Sequence, residues 1–466
     1  MVKRLFHSMN TSDTSAVPAV FQCKVACVVD MRRTWWLEAF IGLGLVCQLT
    51  LALVPVGTLR PAVRFVSYGV SMALLALLPG KGRLHPAAKF AIVILAIVGL
   101  SMLHPTTNSL LAGAAQAALH LAILAPLFWV ARLPVDVVQL RRVMLILWAF
   151  HTASCVAAII QVSYPGLLPQ NLTTAYGSDY AESMQFHNAS GELVFRPMGL
   201  SDVPGAASVS GFYAVLFGLG ALVRERAWWL RLPALLGIGA GFTTLYLSQV
   251  RSMVVMLLVC IIALNAALLW AGERARAATL SFVLVMLALI SYTSALAVGG
   301  EVVSRRFESL FKADPNQVYY ENRGHFISQT ANELLPEYPL GAGLGRWGMM
   351  NQYFGDNSDP RRAMIWVEIQ WTGWLLDGGV PLILAYTCAI AAALWAAWTT
   401  AIRFSQPPLR AWAAVVLAYN IGALAMTFNY PFFLSQGAME LWLLNAALYS
   451  ARDHVRVRIF AQDETR

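Results

Sequence analysis

Charge is what this sequence has least of. Asp, Glu, Lys and Arg together make up 12% of its 466 residues, where soluble domains carry roughly a quarter. That scarcity, with 58% hydrophobic residues and a mean hydropathy of +0.61, excludes a disordered chain and a water-soluble enzyme. Cysteine is also sparse, at six residues. A secreted disulfide scaffold is excluded with it: Cys23 and Cys27 fall in a polar amino-terminal stretch, while Cys47, Cys155, Cys260 and Cys388 fall in apolar runs and read as packing residues. Residues 1–34 lack the continuous apolar core of a signal peptide. Asp-rich and His/Cys-rich metal motifs are missing throughout, so neither a metal nor another cofactor is expected.

What the chain has in quantity is apolar runs of spanning length. A bilayer core of about 30 Å takes roughly 20 helical residues, and twelve runs approach that length: 35–54, 62–78, 87–103, 109–131, 143–161, 205–223, 232–247, 253–271, 278–298, 373–398, 412–429 and 432–450. Backbone groups in hydrocarbon must bond internally, so each run is expected to be a helix. The expected fold is an all-α polytopic membrane protein of about twelve transmembrane helices. Its parts are a cytoplasmic tail (1–34), helices one to nine (35–298) with a loop at 162–204, a large loop at 299–371, helices ten to twelve (372–450) and a second tail (451–466).

The distribution of Lys and Arg sets the expected orientation. With the amino terminus in the cytoplasm, 22 of the 33 basic residues lie inside, including those of the short links at 80–83, 224–226 and 273–276, in keeping with the positive-inside rule. Both termini are then cytoplasmic, and the two long loops face outwards. The net charge of +9 reflects basic residues facing anionic lipid; no nucleic-acid motif accompanies it. In the larger loop, Asn322 to Leu335 reads as a helix ended by Pro336, and residues near 363–372 read as helical up to the tenth span.

Three arginines stand out. Arg251, in the short link Ser248-Gln249-Val250-Arg251-Ser252, lies on the side where the rule disfavours it; it either reaches for headgroups or binds an anion. Arg196 opens a turn-rich stretch, Pro197-Met198-Gly199-Leu200-Ser201-Asp202-Val203-Pro204-Gly205, with Asp202 as an alternative partner. Arg323 begins the 322–335 helix beside Glu321 and His325, where an ion pair is the plain alternative. All three lie near outer ends of spans, and guanidinium forks suit diphosphate oxygens. For a general base, Glu368 among Trp366, Trp371 and Trp374 is the first candidate, because burial there would raise a carboxyl pKa. Asp377, before Gly378-Gly379, is either a base or a structural cap. Glu440 is a carboxylate expected near mid-membrane depth, and His325 is the fourth candidate. Trp347, Trp366, Trp371 and Trp374 suit sugar stacking or interface anchoring. His325, Arg346, Trp371 and Asp377 complete the candidates for substrate contact.

The order Arg196-Pro-Met-Gly…Pro204, Ser248-Gln-Val-Arg251-Ser, then Arg323 followed by Pro339-Leu-Gly-Ala-Gly-Leu-Gly345, resembles the bacterial O-antigen ligase and polymerase family over roughly 190–385. The resemblance implies a GT-C-like, metal-independent glycosyltransferase of the inner membrane. Its donor would be an undecaprenyl-diphosphate-linked glycan and its acceptor a second glycan, with Arg196, Arg251 and Arg323 holding the diphosphate and Glu368 as base. A chain-length regulator and a flippase are the implied protein partners. The family's ligases place a His-led stretch where this chain has Glu368-Ile-Gln-Trp-Thr-Gly-Trp-Leu-Leu-Asp377-Gly-Gly, which favours a polymerase over a ligase transferring glycan to lipid A core. A lipid-linked glycan flippase or other secondary transporter is the rival from a different class, and an assembly scaffold is a third reading.

Overall fold

The computed structural model describes residues 35–463 apart from 55, 81, 165–184, 188–192, 204, 225–226, 302, 306–307, 309–313, 315–318 and 405. The expected tail at 1–34, most of the 162–204 loop and residues 464–466 lie outside the described residues.

Each of the twelve apolar runs falls on a helix. They are α1 (Trp36–Leu53), α2 (Arg60–Leu77), α3 (Ala88–Ser101), α4 (Leu110–Arg132), α5 (Val137–Ser163), α6 (Ala207–Arg224), α7 (Trp228–Ser248), α8 (Arg251–Trp270), α9 (Arg274–Gly299), α12 (Gln370–Arg403), α13 (Pro407–Met426) and α14 (Gln436–Asp463). Between α9 and α12 lie a helical stretch α10 (320–337) and the short α11 (Gly348–Phe354). A three-residue antiparallel ribbon, Gln185–His187 against Leu193–Phe195, joins α5 to α6. Among the described residues, nine helices are long and apolar enough to cross a membrane. The other three fall short for visible reasons. The helix α3 has only 14 residues, α2 carries Arg60 and Arg64, and α14 runs on into Arg452-Asp453-His454.

Burial sorts the helices into a centre and a rim. In α6 and α13, 78% of the most apolar window is buried, against 17% in α9. The rim is apolar: Phe282, Val285, Leu289 and Ile290 of α9 and Val255, Leu258 and Ile262 of α8 are all more than half exposed. A continuous apolar rim of this kind is unfavourable in water and natural in lipid.

The helix links collect at two ends. At one end, Arg132 donates to the carbonyls of Leu75 and Leu78 at 2.8 and 2.7 Å, and Arg410 pairs with Glu273 at 2.8 Å. At the other end, Asn108 donates to the carbonyls of Asp356 and Arg362, Arg60 pairs with Asp202, and Asn429 donates to Ser252. Arg196, Arg251, Arg323 and Glu368 all belong to this second end.

Three local expectations are corrected. The helix α10 does not stop before Pro336 but runs to Glu337, and it holds two π turns, Tyr320–Gly324 and Thr330–Leu334. Residues 363–369 are not helical; α12 begins at Gln370 after an extended Ile369. Glu440, expected midway along its apolar run, lies in the first turns of its helix. Residues 432–435 form a 3-10 turn and an extended cap, so α14 starts at Gln436 and Glu440 lies only about 6 Å along it at 1.5 Å per residue.

The helix α12 is broken. Gly379 has φ +66 and ψ −159, and a Cβ there would meet the Pro339 carbonyl oxygen at 2.2 Å. The stretch 339–345 fills the gap. The amide of Val380 donates to Pro339 at 2.9 Å and that of Ala342 to the Leu376 carbonyl at 2.7 Å, which satisfies backbone groups the break would otherwise orphan. On its far side the stretch lies against residues 106–113, where Thr106 donates to Ala342 and Asn108 N–H to Leu344.

Candidate functional site

The site is assembled on the turn at 196–206, which α5 holds in place. Gln161 donates to the Gly199 carbonyl at 2.9 Å and accepts from the amides of Gly199 and Met198 at 2.8 and 3.2 Å. Ser154 accepts from Leu200 N–H at 3.0 Å. Gly199, at φ +65, lets the turn press against α5, since a Cβ would lie 2.7 Å from the Ser154 carbonyl oxygen.

This turn brings the arginine-bearing segments together. A Cβ at Gly205 would meet Arg196 Cδ at 3.9 Å and Val250 Cγ2 at 4.0 Å, so Arg196 lies beside the link that carries Arg251. Arg251 is the first residue of α8, where the helix dipole adds positive potential. Its neighbour Ser252 accepts from Asn429 at 2.8 Å. The adjacent Phe428 contacts Trp371 at 5.5 Å between ring centroids, and its carbonyl accepts from Tyr319 at 3.4 Å. Arg323, on the first π turn of α10, pairs with Glu368. Burial, and after it the positive charge of Arg323, hold the Arg196 pKa below its ordinary value; burial does the same for Arg323. Both stay charged at neutral pH, and an anion between them would relieve the repulsion.

Asp202, the alternative partner for Arg196, is taken by α2. It accepts from Arg60 at 2.7 Å and from Arg64 as well, with 5% of its side chain exposed. Sequence reasoning missed this triad, although two arginines four residues apart on the outer side mark one helix face.

Glu368 differs from its expected setting. It is not enclosed by the tryptophans: its side chain is 21% exposed, its partner is Arg323, and Trp366, itself 64% exposed, donates to it at 2.8 Å. Trp371 packs edge-on against the buried Trp374 at 5.5 Å. His325 lies against Phe326, ring centroids 4.0 Å apart and planes tilted by 38°, with its Nδ1 3.1 Å from the Tyr320 carbonyl oxygen.

Two candidates for substrate contact have structural posts instead. Arg346 is 5% exposed and donates to the carbonyls of Ala363 and Ala342 at 3.2 and 3.3 Å. Asp377 is fully buried and accepts from Trp347 at 2.8 Å and Gln116 at 3.0 Å, with His120 Nε2 at 3.1 Å. His120 Nδ1 in turn lies 2.7 Å from the Tyr386 hydroxyl. This network ties α4 to α12 just before the break.

Beneath the 201–206 turn lies a cavity of about 360 Å³. Arg64, Asp202, Ala206, His151, Tyr213 and Glu440 are among the residues that line it. A chain of polar contacts runs from the turn to its wall: Leu200 N–H and the Ser210 hydroxyl both donate to Ser154, the latter at 2.9 Å, and Ser210 Oγ lies 3.2 Å from His151 Nδ1. Tyr213 and Tyr419 join their hydroxyls, and Gln436 donates to Glu440 at 3.2 Å. Among the described residues, no three His, Cys, Asp or Glu are grouped to hold a metal ion. No family model and no curated protein matches the chain.

Proposed function

We propose that this chain is a membrane glycosyltransferase that polymerises undecaprenyl-diphosphate-linked oligosaccharides into a surface polysaccharide at the periplasmic face of a bacterial inner membrane. The observation that carries the reading is the meeting of Arg196, the Arg251 link and Arg323, from three distant segments, at one end of the bundle. Diphosphate is the anion such a set suits, because planar donors bind its oxygens in pairs. In an inverting displacement the acceptor hydroxyl attacks the anomeric carbon, the bond to the diphosphate breaks, and the leaving oxygen takes the electron pair. The arginines stabilise that growing charge without a metal, an effect worth about 3–4 kcal/mol for a single well-placed donor. Glu368, joined to Arg323 and Trp366, suits the task of orienting the Arg323 guanidinium.

Arg251→Ala should therefore reduce glycan elongation at least 100-fold while leaving membrane insertion unchanged. The measurement is mass spectrometry of products after reconstituted protein is incubated with lipid-diphosphate-linked repeat units. Wild-type elongation by a correctly inserted Arg251→Ala protein would reject the diphosphate clamp. The cavity with Glu440 inside the bundle favours one second reading, a carrier for the same lipid-linked glycan. Labelled lipid crossing vesicles with no longer glycan formed would decide for it.

A further inference from the structure

The cavity beneath the 201–206 turn is chemically specific. Its wall combines aromatic faces with planar polar groups. Tyr68, Tyr213, Tyr430 and Phe432 supply rings, while Gln48 and Gln436 supply amides. Glu440, 6% exposed, supplies a carboxylate beside them. Rings that cover the C–H faces of a pyranose, with amides and a carboxylate that bond its neighbouring hydroxyls, are what a sugar needs from a pocket. A prenyl tail needs neither the carboxylate nor the amides. At about 360 Å³ the space suits one or two sugar rings and not a long oligosaccharide.

Its position relative to the arginines is equally specific. Ala206 lines the cavity and is bonded in sequence to Gly205, which lies against both Arg196 and Val250. Met253 lines it from two residues beyond Arg251, and Tyr430 from one residue beyond Asn429, the partner of Ser252. A sugar held here therefore abuts the segments that carry the cations.

Resting on the glycosyltransferase reading above, we propose that this cavity binds the terminal sugar of the acceptor glycan and that Glu440 is the catalytic base. The acceptor hydroxyl forms the new bond to the donor's anomeric carbon, its proton passes to the Glu440 carboxylate, and the anomeric carbon–oxygen bond to the diphosphate breaks with its electron pair going to the departing diphosphate oxygen. Gln436, bonded to one carboxylate oxygen, and Tyr213, stacked on His151 at 4.6 Å between ring centroids, frame the carboxylate. The groups facing it across the cavity are Arg64, Asp202, His151, Tyr68, Tyr213 and Tyr430.

The test uses full-length protein in liposomes and a lipid extract containing polyprenyl-diphosphate oligosaccharides. Glu440→Gln should cut elongation at least 100-fold, the scale of a lost general base, while retention of radiolabelled lipid diphosphate and the melting temperature stay at wild-type values. Glu440→Asp should recover part of the rate. Elongation by Glu440→Gln within threefold of wild type overturns the proposal. A second measurement uses unmodified protein: dicyclohexylcarbodiimide, which reacts with carboxyls in apolar surroundings, should modify Glu440, and the lipid extract should slow that modification at least fivefold. Modification at an unchanged rate overturns the assignment. Wild-type protein that builds no longer glycan from the extract overturns instead the functional reading on which the assignment rests.

Discussion

Asp377 carries more structure than any other single carboxylate described. Three donors on two segments end on it, Gln116 and His120 from α4 and Trp347 from the stretch before α11, and all three are buried. Removing one partner of a buried polar set costs far more than the set's net contribution, because the others are left unsatisfied. Asp377→Ala should therefore destabilise the protein by roughly 3–5 kcal/mol, read as a lower melting temperature in detergent, with Asp377→Asn milder. A melting temperature equal to wild type would show the network to be dispensable. In sequence, Asp377 reads equally as a base or as a cap, because its partners Gln116 and His120 lie more than 250 residues away and no local pattern announces them. The arginines were easier to find, since a cation in a short apolar link is conspicuous wherever its partners are. Glu440 was legible as an unusual acid, but its place along its helix depends on the turn at 432–434, which apolar run length cannot distinguish from helix.

Among the elements, α12 shows what hydropathy does and does not convey. Its apolar run predicts a helix, and a helix is there. The break is signalled by Gly378-Gly379, and the filler by the glycine-rich 339–345 stretch, but nothing in either segment says that they fit each other. Gly341, Gly343 and Gly345 all have positive φ, and a side chain at Gly343 would run into the backbone of Thr107 at 2.5 Å. Gly379→Ala meets both obstacles at once, a left-handed φ and a carbonyl oxygen at 2.2 Å. Its expected outcome is a sharp loss of monodisperse protein on size-exclusion chromatography, with Val380→Ala, whose side chain is exposed, near wild type. The rim helix α9 offers the opposite case. Leu289 is 58% exposed, and Leu289→Arg should weaken membrane insertion of that segment by about 2.5–3.5 kcal/mol, measurable in a glycosylation-mapping assay; unimpaired insertion would argue that α9 does not face lipid.

For the whole molecule, the helix links divide between two ends that the basic residues also separate. Charge counting assigns those ends to opposite sides of a membrane because lipid and membrane potential act on the entire chain rather than on particular contacts. A cysteine replacing Asn357 should react with a membrane-impermeant maleimide in intact cells once the outer membrane is opened. One replacing Gly80 should react only after the inner membrane is permeabilised. The reverse pattern would invert the orientation and remove the extracytoplasmic site.

Glu440, Gln436 and Gly437 all sit on α14, the last helix described, whereas Arg64 and Tyr68 opposite them sit on α2. During synthesis the ribosome delivers one wall of the cavity some 370 residues before the other. A nascent chain stopped short of residue 436 has its arginines but no floor beneath them, so the cavity comes into being only once α14 has followed α2 out of the ribosome.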